Sequence, residues 1–424
     1  MTSSARTLNG PLGRTHVRTI PIAFAVGLLD GSGYLLYLIG MPETLWHGGA
    51  LLLKMSALIA LRKSSVGAPK EFFFLFAPLV VAVGLSSAVN IASIDLMILE
   101  KYTAVLLSIY ATLRLIGRNL DDYAIAYAVT GAVCVFIYIA FVHMGKIEDS
   151  FGRYFFFNGA HFNLGCEIMV ALSVATAQSL RPAYSLPLCL AYLYATSVMQ
   201  GRSAMISIGI AIGICGGRMM LVSRGSQRGL LVLAFLTALG LLGFQGSIQE
   251  RASSFLMMSD DYRGMGSGFS GREEYWGAAL EMFEASPWLG AGIGAENEEG
   301  LQAHNFALYG LSQFGVSIVP FFVVLAILFT RCVLRGGYKG AYVLSFVPLL
   351  IFNDRFINMN AYPFYFYLLL ILCGGGGRER CRDEKLSAPI WRNRMASNRT
   401  VGWSEIGAAR SKATASWPQD GSRL

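Results

Sequence analysis

The sequence predicts an all-α integral membrane protein, and three observations carry that reading. Hydrophobic residues make up 54% of the 424-residue chain and charged residues only 14%, with a mean hydropathy of +0.51. Apolar runs near twenty residues recur along most of the length, each long enough to cross roughly 30 Å of hydrocarbon as a helix. The short alternating segments of a membrane β-barrel do not occur.

The elements follow in order. A polar, basic arm (1–19) has no apolar core and no small-residue cleavage site after it, so the first span is read as an anchor that stays. Candidate spans fall at 20–39, 45–61, 72–91, 96–113, 123–144, 163–180, 182–199, 203–217, 229–244, 304–330, 338–352 and 361–373, about twelve in all. The last two are short and flank NDRFINMN (353–360), so 338–373 reads as two spans or as a broken hairpin with that segment at a surface or cavity. One membrane domain therefore covers 20–373. The Arg-, Ser- and Gly-rich residues 374–424 form a cytoplasmic tail expected to be disordered.

Charge sets the orientation. With both termini cytoplasmic, the inner segments hold 25 of the 34 Lys and Arg residues, as the positive-inside bias requires. The net charge of +8 is thus a topology signal rather than a nucleic-acid footprint, aided by attraction of the tail to anionic lipid. The large outer loop, 245–303, runs the other way: ten acids against Arg251, Arg263 and Arg272 leave it at −7. All seven cysteines fall in spans or on the inner side, so no disulfide framework is indicated.

Within the outer loop, Ser270-Gly-Arg-Glu273 fits a capping box, and Tyr275, Trp276, Ala279, Leu280 and Phe283 recur at helical spacing until Ser286-Pro287. The pattern predicts an amphipathic helix over 271–285, with Trp276 and Phe283 toward lipid or the bundle and the glutamates toward water. Arg272 falls in its first turn, where free N–H groups and the helix dipole favour an anion. Either it forks a phosphate or it forms a surface ion pair with Glu273 and Glu274.

Arg202, in the outer turn GRSA (201–204) at the start of the next helix, repeats that arrangement against the positive-inside bias; interfacial snorkelling is the alternative. Arg153 and His161 lie in an outer connection where Tyr154 and Phe155–Phe157 also offer the arginine an aromatic face. His304 opens the tenth span, placed to accept a proton from a hydroxyl, with Asn305 beside it to orient either partner; a structural role is the plainer reading. PWLGAGIG (287–294) lacks the strand and the following acid of a nucleotide loop, so its glycines let the backbone approach the bundle or a ligand. Asp30 and Lys54, near mid-span on adjacent helices, read most simply as an ion pair. No HExxH, CxxC or ligand-spaced His pair is present, so neither metal nor cofactor is expected.

Taken together, GRSA after a span, Arg272 four residues before Trp276, PWLGAGIG, and His304-Asn305 opening a helix that runs through Gly315 resemble the bacterial O-antigen ligase and Wzy-type polysaccharide polymerase superfamily. The likeness covers roughly 150–333 by motif and the remainder by topology. It departs at Gly201, where the family usually has Ser.

The resemblance implies a GT-C-type fold and a metal-independent, inverting glycosyl transfer at the periplasmic face of the bacterial inner membrane. Its donor would be an undecaprenyl-diphosphate-linked glycan. Arg202 and Arg272 would hold the diphosphate and His304 would act as base. Arg153, His161, Trp276, Asn305, Gly292 and Arg355 would line the substrate. Polymerisation of repeat units is the expected reaction, with a flippase and a chain-length regulator as pathway partners. Transfer of finished polymer to lipid A-core, or transport of a lipid-linked sugar, are the alternatives.

Overall fold

The computed structural model describes residues 12–38, 41–61, 70–91, 94–117, 119–145, 162–222, 272–295, 303–352 and 362–374. Their regular structure is entirely helical: α1 Leu12–Leu38, α2 Glu43–Ala60, α3 Lys70–Val89, α4 Leu96–Ile116, α5 Leu120–His143, α6 Phe162–Ser179, α7 Pro182–Val198, α8 Arg202–Val222, α9 Arg272–Ala285, α10 Phe306–Phe314, α11 Val319–Arg335, α12 Gly337–Ala341, α13 Val347–Phe352 and α14 Tyr362–Gly374. Each described helix from α1 to α8 overlays an expected span, but α1 begins at Leu12, inside the stretch expected to be a polar arm; the span at 229–244, the start of the outer loop and the C-terminal tail lie outside the described residues. Lys70–Val89, Leu96–Ile116, Leu120–His143 and the run Phe306–Arg335 are long and apolar enough to cross a bilayer. The chain is a multi-pass membrane protein.

Local chemistry sets the helix ends. Asp95 caps α4, its Oδ1 accepting from the N–H of Met97 at 2.9 Å and of Ile98 at 3.2 Å, which satisfies two of the orphan donors of a first turn. The same helix stops at Gly117, φ 57°, whose N–H returns to the Leu113 carbonyl. Pro182 stands at the first position of α7, where no N–H is missed.

Packing is tightest between α1 and α5, which run parallel. Gly27 and Gly31, four residues apart, face α5 so closely that a Cβ at Gly27 would lie 2.4 Å from the Tyr123 carbonyl oxygen and one at Gly31 still nearer Thr130 Oγ1. Small residues at that spacing let backbones approach where no hydrophobic effect drives helices together. Two polar rungs cross the same seam: Tyr123 donates to Asp30 Oδ2 at 3.0 Å, and Tyr127 to the Tyr34 hydroxyl at 2.5 Å.

Lys54 on α2 completes this polar cluster. Its Nζ is 2.5 Å from Asp30 Oδ1 and donates to Ser108 Oγ of α4 at 3.0 Å. The expected ion pair therefore forms, and it ties α1, α2, α4 and α5 together. Asp30, Lys54 and Ser108 lie well inside their helices, as expected for a pair near mid-span, while Tyr123 is one turn from the start of α5.

That end is the basic one. Arg218 Nη1 of α8 donates to Ala177 O of α6 at 3.5 Å, and its guanidinium lies 3.8 Å over the Tyr338 ring. Lys339 meets Asp121 at 2.6 Å. Arg114, Arg181, Arg331 and Arg335 stand at neighbouring helix ends.

At the opposite end one expectation fails. The tenth span, 304–330, is not a single helix: α10 ends at Gly315, φ 59°, and a 3-10 turn, Gly315–Ile318, leads into α11. The cause is tertiary. A Cβ at Gly315 would lie 2.5 Å from the Trp288 carbonyl carbon and 2.6 Å from both Leu289 N and Pro287 O, so the outer-loop backbone occupies the place a continuous helix would need.

Candidate functional site

The outer loop is fastened to this break by its main chain. Ala291 N donates to Ser312 O at 2.9 Å, Gly292 N to Gln313 O at 3.1 Å, Val316 N to Pro287 O at 2.7 Å and Ser317 N to Trp288 O at 3.2 Å. From α3, Ser86 Oγ donates to Gln313 O and Asn90 Nδ2 to Gly290 O; from the α4 cap, Asp95 N donates to Ile293 O. The glycines of PWLGAGIG serve this approach. Gly290, Gly292 and Gly294 have φ of 71°, 106° and 95°, a region that favours glycine. Gly292, expected against substrate, has its N–H engaged in this clamp.

Gly290 shows how little room remains, since a Cβ there would come 2.2 Å from the Gln313 carbonyl carbon. Gly290→Ala is expected to lower stability by about 3 kcal/mol, combining left-handed strain with a backbone clash. Thermal unfolding in detergent checks this. Gly209→Ala, with nothing within 4 Å, is the silent comparison; equal midpoints for the two variants would remove the clamp.

Before the clamp, α9 spans Arg272–Ala285, within one residue of the expected helix; Ser270, its expected cap, lies outside the described residues. Glu273, Glu274, Glu281 and Glu284 are exposed, Trp276 and Phe283 are half-buried, and Ala279 is buried. The stripe faces the protein, against α10. Arg272 opens the helix with its guanidinium 5.3 Å from the centre of the Phe352 ring, on the last residue of α13. One turn later the Tyr275 ring stands edge-on to His304, centroids 6.1 Å apart at 78°.

His304 itself is strained, at φ 44°. Immediately after it, Asn305 Oδ1 accepts from the N–H of Ala307 at 3.0 Å and of Leu308 at 3.1 Å. Asn305 is thus the N-cap of α10: its oxygen is engaged in the helix, and through the backbone it positions His304.

Arg202 is the first residue of α8 and half-buried. The turn before it is held by Gly201 N to Thr196 O at 3.1 Å and Gln200 N to Ser197 O at 3.1 Å. A Cβ at Gly201 would fall within van der Waals overlap of Cys166 Sγ of α6. A residue with a side chain could not stand at this turn without displacing Cys166 of α6. Among the described residues only Gln200, φ 57°, and His304 are non-glycines with positive φ; His304 is an expected site residue and Gln200 lies two residues before another, Arg202. Backbone strain of that kind gathers at functional sites.

The helices bring these residues to one end. Arg218 on Tyr338 fixes α8 antiparallel to the 337–352 segment, which packs along it. Arg202 lies about 24 Å along α8 from Arg218, and Phe352 a similar distance from Tyr338. Arg202 thus opens α8 at its end away from Arg218, while Arg272 rests on Phe352 and Tyr275, one turn along α9, meets His304. Tyr275 and Phe352 were not expected in this role; Tyr275 is visible in the sequence only as part of an apolar stripe. Arg153, His161 and Arg355 lie outside the described residues. Among the described residues no three His, Cys, Asp or Glu side chains lie together.

Residues 187–317 match the family described as O-antigen ligase. The matched segment runs from α7 to the 3-10 turn after α10 and includes Arg202, Arg272, the glycine clamp, His304 and Asn305. No curated relative matches the chain.

Proposed function

We propose, from the O-antigen ligase match over residues 187–317, that the protein is a glycosyltransferase that polymerises undecaprenyl-diphosphate-linked repeat units. The reaction takes place at the periplasmic face of the bacterial inner membrane. The observations carrying this reading are the contacts of Arg272 with Phe352 and of Tyr275 with His304, with Arg202 at the far end of α8 from Arg218, opposite a second end that holds Arg114, Arg181, Arg218, Arg331 and Arg335. The positive-inside bias makes that second end cytoplasmic.

The chemistry follows from charge. The acceptor hydroxyl oxygen forms a bond to the anomeric carbon as the bond to the diphosphate oxygen breaks, and the diphosphate leaves with the electron pair. Guanidiniums at the first residues of α8 and α9, reinforced by helix dipoles, stabilise that growing charge more than the ground state. The hydroxyl proton passes to the His304 imidazole. One displacement from the opposite side inverts the anomeric centre, and two cations supply the charge for which a divalent metal would otherwise serve.

The family's description favours a second reading, a ligase that carries finished polymer to lipid A-core at the same site. Purified protein in proteoliposomes with a lipid-linked repeat unit distinguishes them. A ladder of products without lipid A-core, unchanged by EDTA, is the expected result. Product only after lipid A-core is added assigns the ligase, and no transfer under either condition rejects both. Passage of the lipid-linked sugar across the bilayer without transfer would instead make the protein a transporter. A flippase and a chain-length regulator are the partners a polymerase would need beside it.

A further inference from the structure

We infer that the basic end carries a second binding site, for the phosphate of an anionic glycerophospholipid, formed by Arg218, Gln178 and Tyr342 between α6, α8 and the 3-10 turn Tyr342–Phe346. Nothing in the proposed transfer reaction uses these residues.

Arg218 is the starting point. Its guanidinium is half-buried, stacked 3.8 Å over Tyr338, makes a long bond, 3.5 Å, to Ala177 O and lies beside the Tyr342 hydroxyl. Among the described residues no carboxylate pairs with it. A guanidinium does not lose its proton in a protein and presents five donors in one plane. Stacking on a ring covers the faces of that plane and leaves its edge for an acceptor. A partly buried cation whose partners are all neutral is unfavourable unless an anion joins it.

The neighbouring groups are those an anion needs. Gln178, the residue after Ala177, is 3% exposed, and neither its Nε2 nor its Oε1 has a hydrogen-bond partner. The Tyr342 hydroxyl is buried against Arg218 and the Cys215 thiol. Ser345 Oγ, one turn on from Tyr342, is likewise buried without a partner. Buried polar groups in proteins are nearly always satisfied, so Gln178 and Ser345, on elements that pack against the helix of Arg218, mark a place for a ligand with acceptor oxygens. Phosphate oxygens match the arginine fork and accept from an amide N–H and a phenol.

Position selects the lipid. The cluster lies between span ends at the level of Arg181, Arg331 and Arg335, where head groups lie and where basic pockets between spans recruit anionic lipid.

The full chain, purified in a neutral detergent, is titrated with phosphatidylglycerol, phosphatidylcholine or inorganic phosphate, reading retained lipid by native mass and the melting midpoint. Phosphatidylglycerol alone is expected to bind and raise the midpoint. Arg218→Gln is expected to weaken that binding about tenfold and Arg218→Lys by less, since charge survives but the fork does not. Arg335→Gln, at an exposed arginine of the same end, is expected to change it less than about twofold, as for general attraction. Gln178→Leu and Tyr342→Phe should each weaken it without unfolding the protein. Equal phosphatidylglycerol binding by wild type and Arg218→Gln overturns the site. Arg218-dependent protection by inorganic phosphate alone overturns the lipid as its source. Gln178→Leu that only stabilises the lipid-free protein removes the amide from it.

Discussion

Arg272→Ala is expected to lower glycan transfer about 10²- to 10³-fold, the loss typical when a preorganised donor to a developing anion is removed. The protein should reach the membrane in wild-type amount, because Arg272 opens α9 at the protein's edge while the packing face of that helix centres on Ala279. Arg272→Lys should recover little of the lost rate, since a point charge replaces a two-pronged donor. His304→Ala should cut the rate by about 10² to 10⁴, the usual worth of a general base. Phe352→Leu, which removes the ring under Arg272, should give a smaller loss, about tenfold or less, because a cation over a ring is worth about 1–2 kcal/mol. Initial rates in proteoliposomes at equal protein content check all four. Wild-type rates from both Arg272→Ala and His304→Ala would end the proposed assignment of this site.

Much of this geometry was legible in the sequence because it rests on local rules. The α9 helix has an apolar stripe at helical spacing and a Ser-Pro stop, and its observed bounds differ by one residue from those expected. The ion pair between Asp30 and Lys54 was legible because two opposite charges inside apolar runs have few other solutions. What escaped depends on tertiary contact. Gly315 is one glycine in an apolar run, and nothing local distinguishes it from a tolerated interior glycine; only the backbone of Pro287–Leu289 pressed against it breaks the helix. Asn305 carried a cap signal, a side-chain acceptor just before an apolar run, which the attraction of a neighbouring histidine obscured. That Gly201 admits no side chain is set by Cys166 of α6, far away in the sequence. The close seam of α1 and α5 was written as Gly27-Leu-Leu-Asp-Gly31, a small-xxx-small spacing hidden inside a span.

Lys54→Met is expected to be the most damaging single change to stability, at about 3–5 kcal/mol, because it strips the buried Asp30 carboxylate of its ion-pair partner. Lys54 and Asp30 are 2% and 5% exposed, so solvent does little to relieve the stranded charge. Asp30→Asn should also destabilise, by less, since Ser108 Oγ still accepts from the ammonium. The double variant Asp30→Asn/Lys54→Met should recover most of the loss: with neither charge present, desolvation is no longer opposed by a single attraction, and an apolar side chain suits the site. The cycle is read from unfolding midpoints in detergent, with transfer activity measured alongside at low temperature. Stability that recovers together with activity makes the pair a fastening between α1, α2, α4 and α5. Recovered stability with lost activity would mean that the charges themselves act in the reaction. Single and double variants that lose stability additively would show that the two charges do not act as a pair.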